Sequence, residues 1–265
     1  MKKFFLFLSA LGVAAVGFEP QSFMHGMYGS YPMGRDATGT SWMPSSTLMP
    51  EIHRMEGDWI LMMHGYLAGI YDDQRGNRGD RKFFSENMFM FTGQSDFGWG
   101  TLGLRSMVCL EPATIGCNGY PLLLQTGETC NGKKPLIDRQ HPHDMLMELA
   151  GVYTLRFSRE NSLFAYFGYP GEPALGPPAY IHRFSAFFNP EAPITHHWLD
   201  STHIVFGVAT LGFVHDWLKI DASIFTGREP NQHRWDFDRP RFDSYSARLS
   251  IRASASKVHN GQDPV

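Results

Sequence analysis

Over residues 244–253 apolar and polar positions alternate without a break: Tyr245, Ala247, Leu249 and Ile251 fall on one face, Ser246, Arg248, Ser250 and Arg252 on the other. A period of two is the signature of a β-strand with two unlike faces. Residues 217–227 repeat it, with Leu218, Ile220, Ala222 and Ile224 opposite Lys219, Asp221 and Ser223. Residues 101–111 set Leu102, Leu104, Val108 and Leu110 against Thr101, Arg105 and Glu111. Residues 145–158 set Met145, Met147, Leu149, Tyr153, Leu155 and Phe157 against Glu148, Thr154, Arg156 and Ser158. Residues 58–71, 83–94, 162–169 and 202–214 are strand-like with less strict alternation. The pattern predicts eight strands of roughly 8–14 residues, near the length a tilted membrane strand needs.

The connections alternate in length. Residues 95–98, 159–161 and 215–216 are tight links, whereas 72–82, 112–144, 170–201 and 228–243 are long. In an antiparallel meander alternate connections lie at opposite ends, so all the long loops share one end, as in outer-membrane barrels. Aromatic residues mark both ends. Trp59, Trp99, Trp217 and Phe157 stand at the tight-turn end, and Tyr71 and Tyr169 at the other, as interfacial girdles require. The expected fold is therefore an all-β, antiparallel, up-and-down transmembrane β-barrel. A secreted soluble sandwich or barrel, with its apolar face buried, is the alternative. The polar end at residues 254–265 leaves two readings open: eight strands that close by themselves, or a truncated version of a larger barrel.

Composition narrows the setting. Charged residues make up 18% and aromatics 14% of the 265 residues, which argues against disorder. The net charge of −3 offers no basic excess for nucleic acid. Lys2 and Lys3 precede an apolar run at residues 4–17, too short to span a bilayer as a helix and ending in Ala15-Val16-Gly17. This is the pattern of a secretory signal peptide over residues 1–17. The organisation expected is that peptide, a Met/His-rich irregular segment at 18–56, a barrel at 57–253 and a polar tail at 254–265. Export to the outer membrane makes its lipid and the barrel-assembly machinery the expected partners. In that oxidising compartment Cys117 and Cys130 are expected to pair within their Gly/Pro-rich loop, leaving Cys109 over.

Candidate chemistry falls in three places. The polar strand faces carry Arg105, Glu148, Arg156, Lys219, Asp221, Arg248 and Arg252, which a membrane barrel must turn inward. They line either a salt-bridged, plugged interior or a narrow conduit. Two long loops hold His141, His143 and Asp144, and His196, His197, Asp200 and His203. His141 and His143 are two apart and project to one side of an extended chain. The strands they lead into are separated by only one strand, so the two loop ends are expected to meet within about 10 Å. There imidazoles and Asp144 or Asp200 could share Zn or Cu, or simply order the loops through hydrogen bonds. Met24, His25, Met27 and Met33 form a third set, suited to copper through thioether sulfur. Enzyme signals are thin: Asp200, Ser201 and His203 adjoin without implying triad geometry, and Glu172 and Glu229 recur in turn-like Glu-Pro settings.

Several stretches recur together: Gly39-Thr40-Ser41-Trp42-Met43-Pro44, Phe83-Phe84-Ser85-Glu86-Asn87, residues 138–150, 171–177, 196–203, and Gly227-Arg228-Glu229-Pro230. They resemble an uncharacterised family of bacterial proteins predicted to be outer-membrane β-barrels, over residues 39–250. The resemblance implies a signal peptide, a barrel and an envelope location, and no established substrate. A looser similarity, confined to residues 24–55, is to copper-resistance protein B. The expected function is passive transport or a structural role in the outer membrane. Envelope metal binding through the loop histidines is the alternative, and a barrel-borne hydrolase the third.

Overall fold

A computed structural model describes residues 25–44, 51–183 and 189–252; the expected signal peptide, Met24 and the polar tail lie outside the described residues. The eleven described strands are β1 (Ile52–Glu56), β2 (Trp59–Asp73), β3 (Arg81–Phe97), β4 (Gly100–Val108), β5 (Tyr120–Gly127), β6 (Leu136–Gln140), β7 (Leu146–Arg156), β8 (Asn161–Gly168), β9 (Val208–His215), β10 (Leu218–Phe225) and β11 (Ser244–Ile251). Two one-turn helices, α1 (Glu111–Thr114) and α2 (His196–Leu199), lie in the long loops. Nine strands form one sheet in the order β1-β2-β3-β4-β7-β8-β9-β10-β11, every pair antiparallel. All eight strands read from the alternation are present.

Three features correct the expectation. The segment expected to be irregular up to residue 56 contributes β1, which pairs with β2 from Ile52↔Met63 to Glu56↔Trp59. The loop at residues 112–144 contains its own hairpin, β5-β6. The large sheet is not closed into a barrel: its edges, β1 and β11, are unpaired with each other among the described residues.

The two faces of the sheet are inverted relative to a soluble domain. On β10, Lys219, Asp221 and Ser223 are buried, whereas Ile220 is 49% exposed. On β11, Leu249 and Ile251 are each 60% exposed while Arg248 turns inward. Leu67, Phe83, Phe91, Leu163 and Leu211 continue this exposed apolar face across the other strands.

Residues 25–44 fill the concave side. Gln94 of β3 donates to the His25 carbonyl (2.8 Å), Thr154 of β7 to that of Met27 (2.7 Å) and Ser162 of β8 to that of Tyr28 (2.7 Å). Arg105 of β4 reaches the Ala37 carbonyl, and Lys219 of β10 that of Thr40. Six strands hydrogen-bond to this one segment once Arg248 of β11, which donates to the Thr40 hydroxyl (2.8 Å), is added. The sheet thus curves around a plug. Gly103 stands where Met27 presses on β4; a Cβ there would lie 2.6 Å from its sulfur.

The inward charges pair. Arg105 and Glu148 lie 3.2 Å apart, with Tyr166 donating to Glu148 (2.9 Å). Arg248 and Asp221 lie 2.8 Å apart, and the Thr40 hydroxyl donates to Asp221. Lys219 sits 4.5 Å over the Trp42 ring. Arg156 donates to the Gly26 carbonyl (3.0 Å). Arg252 belongs instead to the turn end, where it pairs with Asp216 at 2.7 Å.

Two side chains depart from their expected face. A bulge between β4 and β7, where Met107↔Glu148 is followed by Val108↔Leu146, turns Met147 inward; it is 1% exposed rather than sharing the outer face with Leu149. Extra residues in one strand shift its alternation by one. Tyr169, expected in the rim, stacks on Phe237 (5.7 Å) and donates to the Asp238 carbonyl (2.9 Å).

Candidate metal centre

The long loops pack together at one end of the sheet. Cys117 and Cys130 are bonded, with Cα atoms 5.0 Å apart, and cross-link the loop that begins with α1. Arg78, from the β2–β3 connection, makes a two-pronged pair with Asp138 (2.7 Å for both bonds). Cys109 is buried, and its thiol donates to the Asp144 carbonyl (3.3 Å).

In this packing His143, His196 and His203 come together. One ring nitrogen from each lies within 4.8 Å of the other two, and all three residues are buried. Ring centroids are 4.4 Å apart for His196 and His203, 5.1 Å for His143 and His203, and 5.7 Å for His143 and His196. His143 comes from the extended His-Pro-His stretch before β7. His196 opens α2, and His203 follows four residues after its end. The first loop leads into β7 and the second into β9, and β7-β8-β9 are neighbours in the sheet, which brings the loops side by side.

Each ring is held by Nδ1. That of His143 meets the Glu111 carboxylate of α1 at 2.8 Å. That of His196 meets the Asp200 carboxylate at 3.1 Å, one helical turn on. That of His203 meets the Asp200 backbone carbonyl at 2.8 Å. Since carboxylates and carbonyls accept, each Nδ1 carries a proton, and in the neutral ring Nε2 keeps a lone pair. The Nε2 atoms of His143 and His203 are buried without a hydrogen-bond partner. Imidazoles oriented by a carboxylate or carbonyl on one nitrogen, with the other free, form the arrangement of metal-ligating histidine.

Burial pushes His196 and His203 well below the ordinary imidazole range, so both are neutral and their lone pairs available. Burial acts on His143 in the same direction, but the charge and hydrogen bond of Glu111 outweigh it and hold that ring above the ordinary value. Tyr180 closes the site, its ring 4.7 Å from His196 and 6.1 Å from His143. A cleft of about 350 Å³ lined by Glu128, His197 and Glu229 opens beside it.

The other expected ligands lie elsewhere. Asp144 pairs with Arg234 at 3.0 Å and does not face the cluster; its carboxyl is pushed up to about 6 by burial, against the pull of Arg234. Asp200 supports two of the rings from behind and also accepts from the Tyr180 backbone (2.9 Å). His141 and His197 form a separate pair with centroids 5.1 Å apart; His141 Nδ1 accepts from the Glu128 backbone (2.8 Å) and His197 Nε2 meets Gln140 (2.9 Å). In the N-terminal set His25 is exposed, Met33 is buried, and Met27 is core, packed with Tyr28, Val152 and Phe164. Among the described residues of the set, the two thioethers are buried with the plug while His25 is exposed. His203 meets the carbonyl of Asp200 rather than its carboxylate, which is not the geometry of a triad. Glu172 and Glu229 are not drawn into the cluster; burial raises their carboxyls to about 8 and about 7.

Glu111, Tyr180 and Arg234 are the participants that sequence reasoning missed. Glu111 precedes a proline in a segment read as a strand end, and only the fold brings it 32 positions along to His143. No family model, curated protein or solved structure matches this chain.

Proposed function

We propose that this protein is an outer-membrane β-barrel with a filled lumen, whose loop end binds a transition-metal ion through His143, His196 and His203. The observation that carries the metal reading is the trio of buried rings, each oriented through Nδ1, with two Nε2 atoms unpartnered. Three imidazoles suit Zn or Cu once the ion displaces any proton on His143 Nε2, and three protein ligands leave a tetrahedral ion one position for water. The packing of residues 25–44 against the polar face favours metal binding over passive transport.

The membrane reading is supported by the inverted faces. A soluble sheet would bury Ile220, Leu249 and Ile251, which are exposed, and wet Lys219 and Asp221, which are buried. In lipid both sheet edges need partners, so the reading requires β1 and β11 to pair with each other or with further strands.

Two experiments test the proposal. Equilibrium dialysis of the detergent-solubilised protein against Zn(II) is expected to give one tightly bound ion per chain, lost in His143→Ala with His196→Ala. Full retention by that variant would overturn the metal reading. Ile220→Arg and Leu249→Arg are each expected to destabilise the protein in bilayers by about 2–4 kcal/mol. Changes within about 0.5 kcal/mol, as on a water-facing surface, would overturn the membrane reading.

A further inference from the structure

We infer that His64, His182 and Met90 form a second metal site, selective for Cu(I), inside the curve of the sheet. It shares no ligand with the loop centre. His64 and Met90 are direct cross-strand partners on β2 and β3, and both side chains are buried. His182 descends on them from the short 3-10 turn Tyr180–His182. The Nε2 atoms of His64 and His182 lie 3.1 Å apart, and the Met90 sulfur lies 3.2 Å from the same nitrogen of His182. A second nitrogen and a thioether thus converge on His182 Nε2. With metal–nitrogen bonds of about 2.0 Å, nitrogens 3.1 Å apart subtend about 100° at an ion, close to tetrahedral.

As hydrogen-bonding groups these side chains are poorly matched. Thioether sulfur is a weak acceptor, and His182 Nδ1 is buried without a partner. As ligands they are well matched: imidazole and thioether together select the soft Cu(I) over Zn(II). Met62 orients the site, its sulfur 3.3 Å from His64 Nδ1, which leaves Nε2 to face the ion. Binding needs no net proton loss, because His182 can carry its ring proton on Nδ1. The surroundings are soft as well: Met107 follows Met90 in cross-strand register on β4, and Met88 and Met147 are buried in the same cluster.

The test uses the wild-type protein in detergent, under anaerobic reductant with excess Zn(II), titrated with Cu(I) against a colorimetric Cu(I) chelator. X-ray absorption at the copper edge then reports the ligands. The expected result is one Cu(I) per chain with a sulfur neighbour at about 2.3 Å and imidazole nitrogens, whether or not the loop site holds Zn. Met90→Leu, a swap that conserves volume, is expected to remove the sulfur signal and weaken Cu(I) at least tenfold. His182→Asn, in a turn rather than a strand, is expected to do the same to the nitrogen signal. Copper with nitrogen neighbours only, no copper, or unchanged sulfur coordination and affinity in Met90→Leu would each overturn the inference.

Discussion

The two histidine clusters stand on either side of one short turn and are built on different chemical plans. Tyr180 packs on His143 and His196, while His182, two residues later, faces His64 and Met90. In the loop cluster the acceptors behind the rings are the hard oxygens of Glu111 and Asp200. In the inner cluster the corresponding neighbour is the sulfur of Met62, and a second thioether completes the set. Oxygen acceptors make an imidazole more basic and suit Zn or Cu(II); sulfur neighbours suit Cu(I). On the proposed reading the same residue type yields two selectivities, decided by what the fold puts behind and beside the ring.

The sharpest way to break this comparison is to delete two loop rings. His143→Ala with His203→Ala should lower Zn(II) affinity by well over the 10–100-fold typical of a lost supporting partner, while sulfur-coordinated Cu(I) binding stays intact. Parallel titrations of both metals read it, and loss of both together would mean the clusters are one site. Next in size is Glu111→Gln, which keeps the shape of the side chain but removes the charge behind His143. Zn(II) affinity should fall by about 10–100-fold, with Cu(I) affinity unchanged.

A smaller effect is expected from Cys117→Ser with Cys130→Ser. The cross-link spans 13 positions, for which loop-closure entropy is worth about 3 kcal/mol. Its loss loosens the loop that presents Glu111 and should weaken Zn(II) by less than the Glu111 substitution, again sparing the inner cluster. Thermal midpoints and Zn(II) titrations of the double variant check it.

The smallest effect on metal affinity is shared by both clusters and is read in the pH dependence of the fold. Glu172 begins the loop that carries His182, His196 and His203, and packs against Gly39 of the plug, where a Cβ would meet its carbonyl at 2.6 Å. Burial raises its carboxyl to about 8, so the folded state holds a proton that the unfolded chain releases near its ordinary value. The stability tied to that proton is complete below the ordinary carboxylate range and is lost as pH rises through about 8. The thermal midpoint should therefore decline from pH 5 to pH 9, and Glu172→Gln should flatten that decline. An identical pH profile in the variant would remove Glu172 as the cause.

How much of this was legible in the chain follows from the range of the forces involved. Alternation and turn length are local, so residues 217–227 and 244–253 announce both their strands and which face is apolar. Their inverted exposure agrees with that reading, and so do the cross-link of Cys117 to Cys130 and the meeting of the two histidine loops. Local patterns fail where packing overrides them. The bulge that turns Met147 inward leaves no mark in the alternation. The β5-β6 hairpin hides in a leucine run without period two, and β1 in a stretch that looked shapeless. The sequence by itself determined the antiparallel meander, the end at which the loops gather and the histidines available there, because these depend on neighbours in the chain. Only the tertiary structure decided that residues 25–44 fill the concave face, that Asp144 goes to Arg234 rather than to the histidines, and that Glu111 stands behind His143. It alone brought His182 to His64 across 118 positions, because such contacts are fixed by the curvature of a whole sheet and by which buried polar atom most needs a partner.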